Sequence, residues 1–148
     1  MSYSAQLASY KNATSTVQKT KQVVLLYDAV IRFLQQAKAA IVEKNYNERL
    51  NLLEKTTNIL AGLHNSLDHE NGGDVAKILD SFYGDLEIRV MGVNRSNDIV
   101  ECDSLIEEVK SMREAWDEID KKYTTGQLDI SPEMKPVISE DGSANFSA

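Results

Sequence analysis

The chain has 148 residues, 42% of them apolar and 26% charged, with a formal net charge of −7. That length suits one domain with its own core, and the acidic balance argues against a nucleic-acid backbone or an anionic membrane surface as partner. Cys102 is the only cysteine, so no internal disulfide can form, which fits a reducing compartment. With no signal-peptide pattern and no apolar run of about 20 residues, the expectation is a cytoplasmic protein that does not insert into a membrane.

Within the arm, residues 1–18, the stretch 2–16 is polar apart from small alanines and Tyr3, Leu7 and Tyr10, which fall at i, i+4 and i+7 on one face of two helical turns. An isolated helix that short is marginal in water. The segment is therefore expected to be an amphipathic N-terminal arm, or cap, that orders only against another surface.

From there to about residue 123 the apolar spacing is helical almost throughout, and both prolines, Pro132 and Pro136, lie beyond it. Four long helices are predicted. The first spans about Thr20 to Lys44. The second, about Tyr46 to His69, carries Tyr46, Leu50, Leu53, Thr57, Leu60, His64 and Leu67 at alternating 4-3 spacing. The third, about Asp74 to Arg95, presents Val75, Leu79, Phe82, Leu86, Val90 and Val93, and the fourth, about Asp98 to Tyr123, presents Ile99, Ile106, Val109, Met112, Trp116 and Ile119. Asn45 separates the first pair, Gly72 and Gly73 stop the second helix, and Asp74 is an N-cap or first-turn acid for the third. Ser96, Asn97 and Asp98 offer oxygens to the N–H groups opening the fourth. Links this short make neighbours antiparallel, so the fold class is all-α: an up-down four-helix bundle over residues 19–123. Residues 124–148 are turn-rich and without sustained period, and are expected to form a disordered tail.

Little in the chain points to catalysis. It has no P-loop, no Gly-rich dinucleotide turn and no nucleophile elbow, so no catalytic residue and no cofactor is assigned. A metal pair in a bundle needs repeated Glu-x-x-His motifs, whereas Asp68, His69 and Glu70 are consecutive and point in different directions. A histidine phosphotransfer bundle is a lesser alternative. Its histidine must be exposed near basic groups, but His64 lies on an apolar stripe and His69 adjoins two acids. Cys102, among Ile99, Leu105 and Ile106, reads as a small buried apolar residue.

A surplus of apolar surface remains. On the first helix Val24, Tyr27, Ile31, Leu34 and their neighbours sweep an arc of about 160 to 180° at 100° per residue. Asp28 and Arg32 on the polar side are spaced as an i, i+4 ion pair. On the second helix Leu52, Ile59 and Leu63 flank the stripe. About 100° suffices to face a core; a helix touching two neighbours uses more, and an apolar groove for a partner helix would use the rest. Val24, Tyr27, Ile31, Leu34, Leu52, Ile59 and Leu63 are the candidate partner-binding residues, and Tyr3, Leu7 and Tyr10 the candidate plug for the groove when it is empty.

Four stretches carry a family resemblance: "LYDAVIRFL" (26 to 34), "SLDHENGGDVAKIL" (66 to 79), "FYGDLEIR" (82 to 89) and "EEVKSMREAW" (107 to 116). With "LASY" (7 to 10) near the N-terminus, they make the chain resemble the flagellar secretion chaperones of the FliS type over about residues 7 to 119. It departs from the family's pattern in three places: at Ala29 and Val30, in "TVQKTKQ" where a Ser-Pro entry is common, and at Gly84 and Asp85. The resemblance implies a non-enzymatic export chaperone that binds the disordered C-terminal helical region of flagellin 1:1. Binding would prevent premature polymerisation and keep the client competent for export, with handover at the cytosolic domain of the export gate. Behind that reading stands an interaction or regulatory bundle that has kept the fold with a different helical client.

Overall fold

The computed structural model describes residues 3–124, and the side chains of 19–122. All four of its regular elements are helices: α1 (Tyr3–Val42), α2 (Tyr46–Asn65), α3 (Gly73–Ser96) and α4 (Ile99–Thr124). The expected tail beyond them, and the side chains of Tyr3, Leu7 and Tyr10, lie outside the described residues. α1 begins at Tyr3 rather than near Thr20, because nothing between them breaks a helix: the first glycine of the chain is Gly62 and neither proline lies so early.

The helix ends follow from their residues. At the end of α1 the Lys44 N–H donates to the Ile41 carbonyl and the Asn45 N–H to the Ala40 carbonyl, with Lys44 at φ +60°. This is a Schellman turn with lysine in the left-handed position. Asn45 then caps α2, its side-chain oxygen accepting from the Glu48 N–H at 3.3 Å. Between α2 and α3 the Asp68 carboxylate accepts from the backbone of Glu70 and Asn71 and from the Asn71 side chain. Gly72 is the N-cap of α3 and Asp74 sits in its first turn. Asp98 accepts from the N–H groups of Val100 and Glu101 and so opens α4.

α1 packs on α2 and on α4, α2 on α3, and α3 more thinly on α4. The order is a closed ring in which each helix has two neighbours. Cross-links run antiparallel, with Lys38 on Asp103 and Asp28 on Arg113 between α1 and α4, and Arg49 on Asn97 and His64 on Asp80 between α2 and α3. Asp28 therefore pairs with α4, at 2.8 Å, and not with Arg32, whose guanidinium lies over the Phe33 ring at 5.2 Å. An inter-helix partner that can be reached with two hydrogen bonds replaces the weaker exposed pair along the helix.

The core draws on all four helices, with Val23, Tyr27, Leu34, Leu53, Leu63, Tyr83, Leu86, Val93 and Leu105 almost wholly enclosed. One polar link crosses it: the hydroxyls of Tyr27 on α1 and Tyr83 on α3 are 2.7 Å apart. Burial raises both phenols well above the usual tyrosine range. Cys102 is buried, and desolvation pushes its thiol up to about 11.

Candidate partner-binding surface

The structure divides the apolar arc of α1 and α2 between core and seams. Val24, Tyr27, Leu34, Leu52 and Leu63 are all at or below 6% exposure and belong to the core. α1 faces α2 on one side and α4 on the other, so two neighbours occupy the wide arc. Ile31 and Ile59 remain half-buried at its edges. Ile31 lines a groove of about 530 Å³ between α1 and α4, walled by charged groups including the Asp28–Arg113 pair.

A second groove, of about 400 Å³ and with Leu50, Leu53, Val90 and Met91 among its lining residues, runs between α2 and α3. Leu53 and Val90 form its buried floor, while Leu50 (38% exposed) and Met91 (59%) stand on its rims. Ile88, 72% exposed, lies one turn before Met91 on α3. Tyr46 lies one turn before Leu50 and carries the Arg49 guanidinium over its ring at 5.2 Å. Val42, Ile99 and Val100 are also exposed beside the two links at this end of the bundle. Here Arg49 donates to the Asn97 side-chain oxygen, tying α2 to the α3–α4 turn. Most of the large exposed apolar side chains are thus gathered around one groove and one end. A third, shallower strip runs along the α1/α2 seam, where Leu26, Phe33 and Ile59 are half-buried and Lys55 lies over the Phe33 ring at 5.7 Å.

Leu50 and Tyr46 were legible as part of the α2 stripe, but not as its exposed end. Ile88 and Met91 carried a signal that went unused, since they are large apolar residues off the α3 core stripe.

The other end of the α2/α3 seam is polar. His64 Nδ1 lies 2.8 Å from Glu87 and Nε2 lies 2.7 Å from Asp80. Burial pulls the imidazole pKa down, but the bonds to Asp80 and Glu87 outweigh it and raise it above the ordinary histidine value. Two carboxylates around the ring would repel a phosphoryl group, which removes the basis for a phosphotransfer reading. Among the described residues no group of three His, Cys, Asp or Glu side chains could hold a metal ion, and no helix is long and apolar enough to cross a membrane.

What these features define is a helical bundle whose distinguishing surface is apolar and open, the makings of a binding protein. Residues 1–123 match the family of the flagellar protein FliS, and the chain belongs to that family, which is a family of chaperones and not of enzymes. It is 33% identical over 108 residues to the flagellar secretion chaperone FliS of Campylobacter jejuni, covering 72% of this chain and 84% of that one. It is 32% identical over 122 residues to the flagellar secretion chaperone FliS of Vibrio cholerae, covering 79% and 90%. To the flagellar secretion chaperone FliSB of Pseudomonas aeruginosa it is 32% identical over 117 residues, covering 77% and 90%.

Proposed function

We propose that this chain is a cytoplasmic export chaperone that binds the disordered C-terminal helical region of flagellin, one client per chaperone. Binding prevents premature polymerisation and keeps the client competent for secretion, and the loaded complex is handed over at the cytosolic domain of the export gate. The observation that carries the reading is the open α2/α3 groove, with Leu50 and Met91 on its rims, in a chain of this family. An amphipathic client helix laid in such a groove buries its apolar face there. Ile31 and Ile59, half-buried at the α1/α4 and α1/α2 seams, extend the contact around the bundle. The five fully buried candidates, Val24, Tyr27, Leu34, Leu52 and Leu63, hold the helices that form the seams. Tyr3, Leu7 and Tyr10 form a plug that gives way to client.

Calorimetric titration with a peptide from the last 40 or so residues of the organism's own flagellin tests the reading. Saturable 1:1 binding with a clearly negative heat-capacity change supports it, because that is the signature of an apolar groove folding a disordered segment. No heat at any temperature, together with an unchanged peptide circular dichroism spectrum, overturns it.

A further inference from the structure

His64 occupies a place that the chaperone reading does not explain. It sits on α2 with a ring nitrogen against a carboxylate on each side, Glu87 at 2.8 Å and Asp80 at 2.7 Å, both from α3. Gly84 lies between those two acids along α3, and a Cβ placed there would come 3.8 Å from His64 Cε1, so the helix presents a bare slot to the ring. The ring is also 6.1 Å, centroid to centroid, from Tyr83, whose hydroxyl joins the core link to Tyr27.

Only an imidazolium can donate from both nitrogens. In neutral imidazole one nitrogen is an acceptor, and at these distances its lone pair would face a carboxylate oxygen. We infer that His64 is a proton-operated latch on the α2/α3 seam: doubly bonded, it holds α3 against α2, and on losing a proton to solvent it releases one carboxylate and lets the seam and its groove loosen. Asp80, 50% exposed, is the partner free to turn to water, whereas Glu87 is 29% exposed. The elevated pKa of His64 agrees with this arrangement.

Other charges flank the seam. Lys77 is exposed on α3, one turn before Asp80. On α2 the Asp68 carboxylate is bound to Asn71 and Glu70. On α3 the Asp85 carboxylate is bound to Arg89. From α1, the other helix packed on α2, the nearest charges by helix register are Lys21 and Asp28; these act on Asp120 and Arg113 of α4. Because the bonded ring holds its proton more tightly folded than unfolded, the latch contributes fully below the unfolded histidine pKa of about 6.5, and the contribution is lost as pH rises through the higher folded value.

The link to client affinity rests on the flagellin reading above, so the experiment separates the two. Proton NMR of the full chain from pH 5 to 9 should give His64 a midpoint clearly above the ordinary histidine value of about 6.5, lowered in Glu87→Gln. Amide exchange, normalised for its intrinsic pH dependence, should show α2 and α3 losing protection through that midpoint in the wild type but not in His64→Gln. A His64 midpoint at or below the ordinary value, or protection that falls equally in His64→Gln, overturns the latch. Affinity for the flagellin peptide should rise about fivefold from pH 6 to pH 8.5 in the wild type and stay flat in His64→Gln. Equal pH dependence in both overturns the coupling to client. No binding at either pH counts against the flagellin reading, and the latch is then decided by the titration and exchange alone.

Discussion

Lys44 holds a backbone conformation that an L-residue adopts at a cost of about 1 kcal/mol or more, in the left-handed position that ends α1. Glycine has no Cβ to pay that penalty with, though it loses more entropy on folding. Lys44→Gly is expected to raise stability by about 1 kcal/mol, read as a higher urea midpoint at unchanged slope; a lower midpoint would mean that the lysine side chain itself holds the turn. The buried tyrosines share one hydrogen bond, hydroxyl to hydroxyl. Removing either hydroxyl leaves the other buried without that partner. Tyr27→Phe and Tyr83→Phe should therefore each cost about 2 kcal/mol in denaturant unfolding, and the double variant less than their sum. Both phenols are raised by burial, so the unfolded chain loses their protons first. Stability should fall as pH rises above about 10, and fall less steeply in the double Phe variant. At this scale the sequence disclosed capping residues well and pairings poorly. Asn45 and Asp98 cap as their side-chain chemistry requires, but Asp28 finds an arginine 85 positions away, which no local spacing reveals.

Helices were legible because the 3.6-residue period is written in the apolar residues, and their junctions because Asn45, the Gly72–Gly73 pair and Asp98 interrupt it. Which face of α1 is inward was not, since periodicity records how much of a helix is apolar but not how many neighbours claim it. α1 has two, and they enclose Val24, Tyr27 and Leu34. The opposite case is α3 against α4, the thinnest contact in the ring. Arg89 spans it, bonded to Asp85 on its own helix and to Glu101 and Glu108 on α4, with 23% of its side chain exposed. Hydrogen bonds first to Glu108, then to Glu101 and Asp85, offset its partial burial and hold the guanidinium charged. Removing it leaves three carboxylates facing one another across a sparse seam. Arg89→Met keeps the apolar stem and should still cost about 2 kcal/mol, with the first half of α4 gaining the most amide exchange. Uniform exchange through all four helices would show instead that α3 and α4 hold together by packing alone.

The whole molecule sets how much surface a client must cover. Ordering about 40 residues costs on the order of 40 kcal/mol, which at about 25 cal/mol per Å² calls for roughly 1,600 Å² of apolar burial before any affinity appears. A single groove of about 400 Å³ does not provide that, so a client of this kind has to run from the α2/α3 groove onto other seams, where Phe33, Ile59 and Ile31 are half-buried. Affinity is then spread unequally, with the largest share where side chains are most open and their floor most rigid. Met91 and Ile78 make the test internal to one helix: both are exposed on α3, at 59% and 60%, but only Met91 borders the groove. A carboxylate at either position stays in water in the free protein, so Met91→Glu and Ile78→Glu should unfold within about 0.5 kcal/mol of the wild type. In calorimetry with the flagellin peptide, Met91→Glu should weaken binding about tenfold or more, since a charge must then be buried under the client, while Ile78→Glu should bind as the parent does. Equal losses would place the client on the outer face of α3, and a loss at Ile78 alone would move it to the α4 side of that helix.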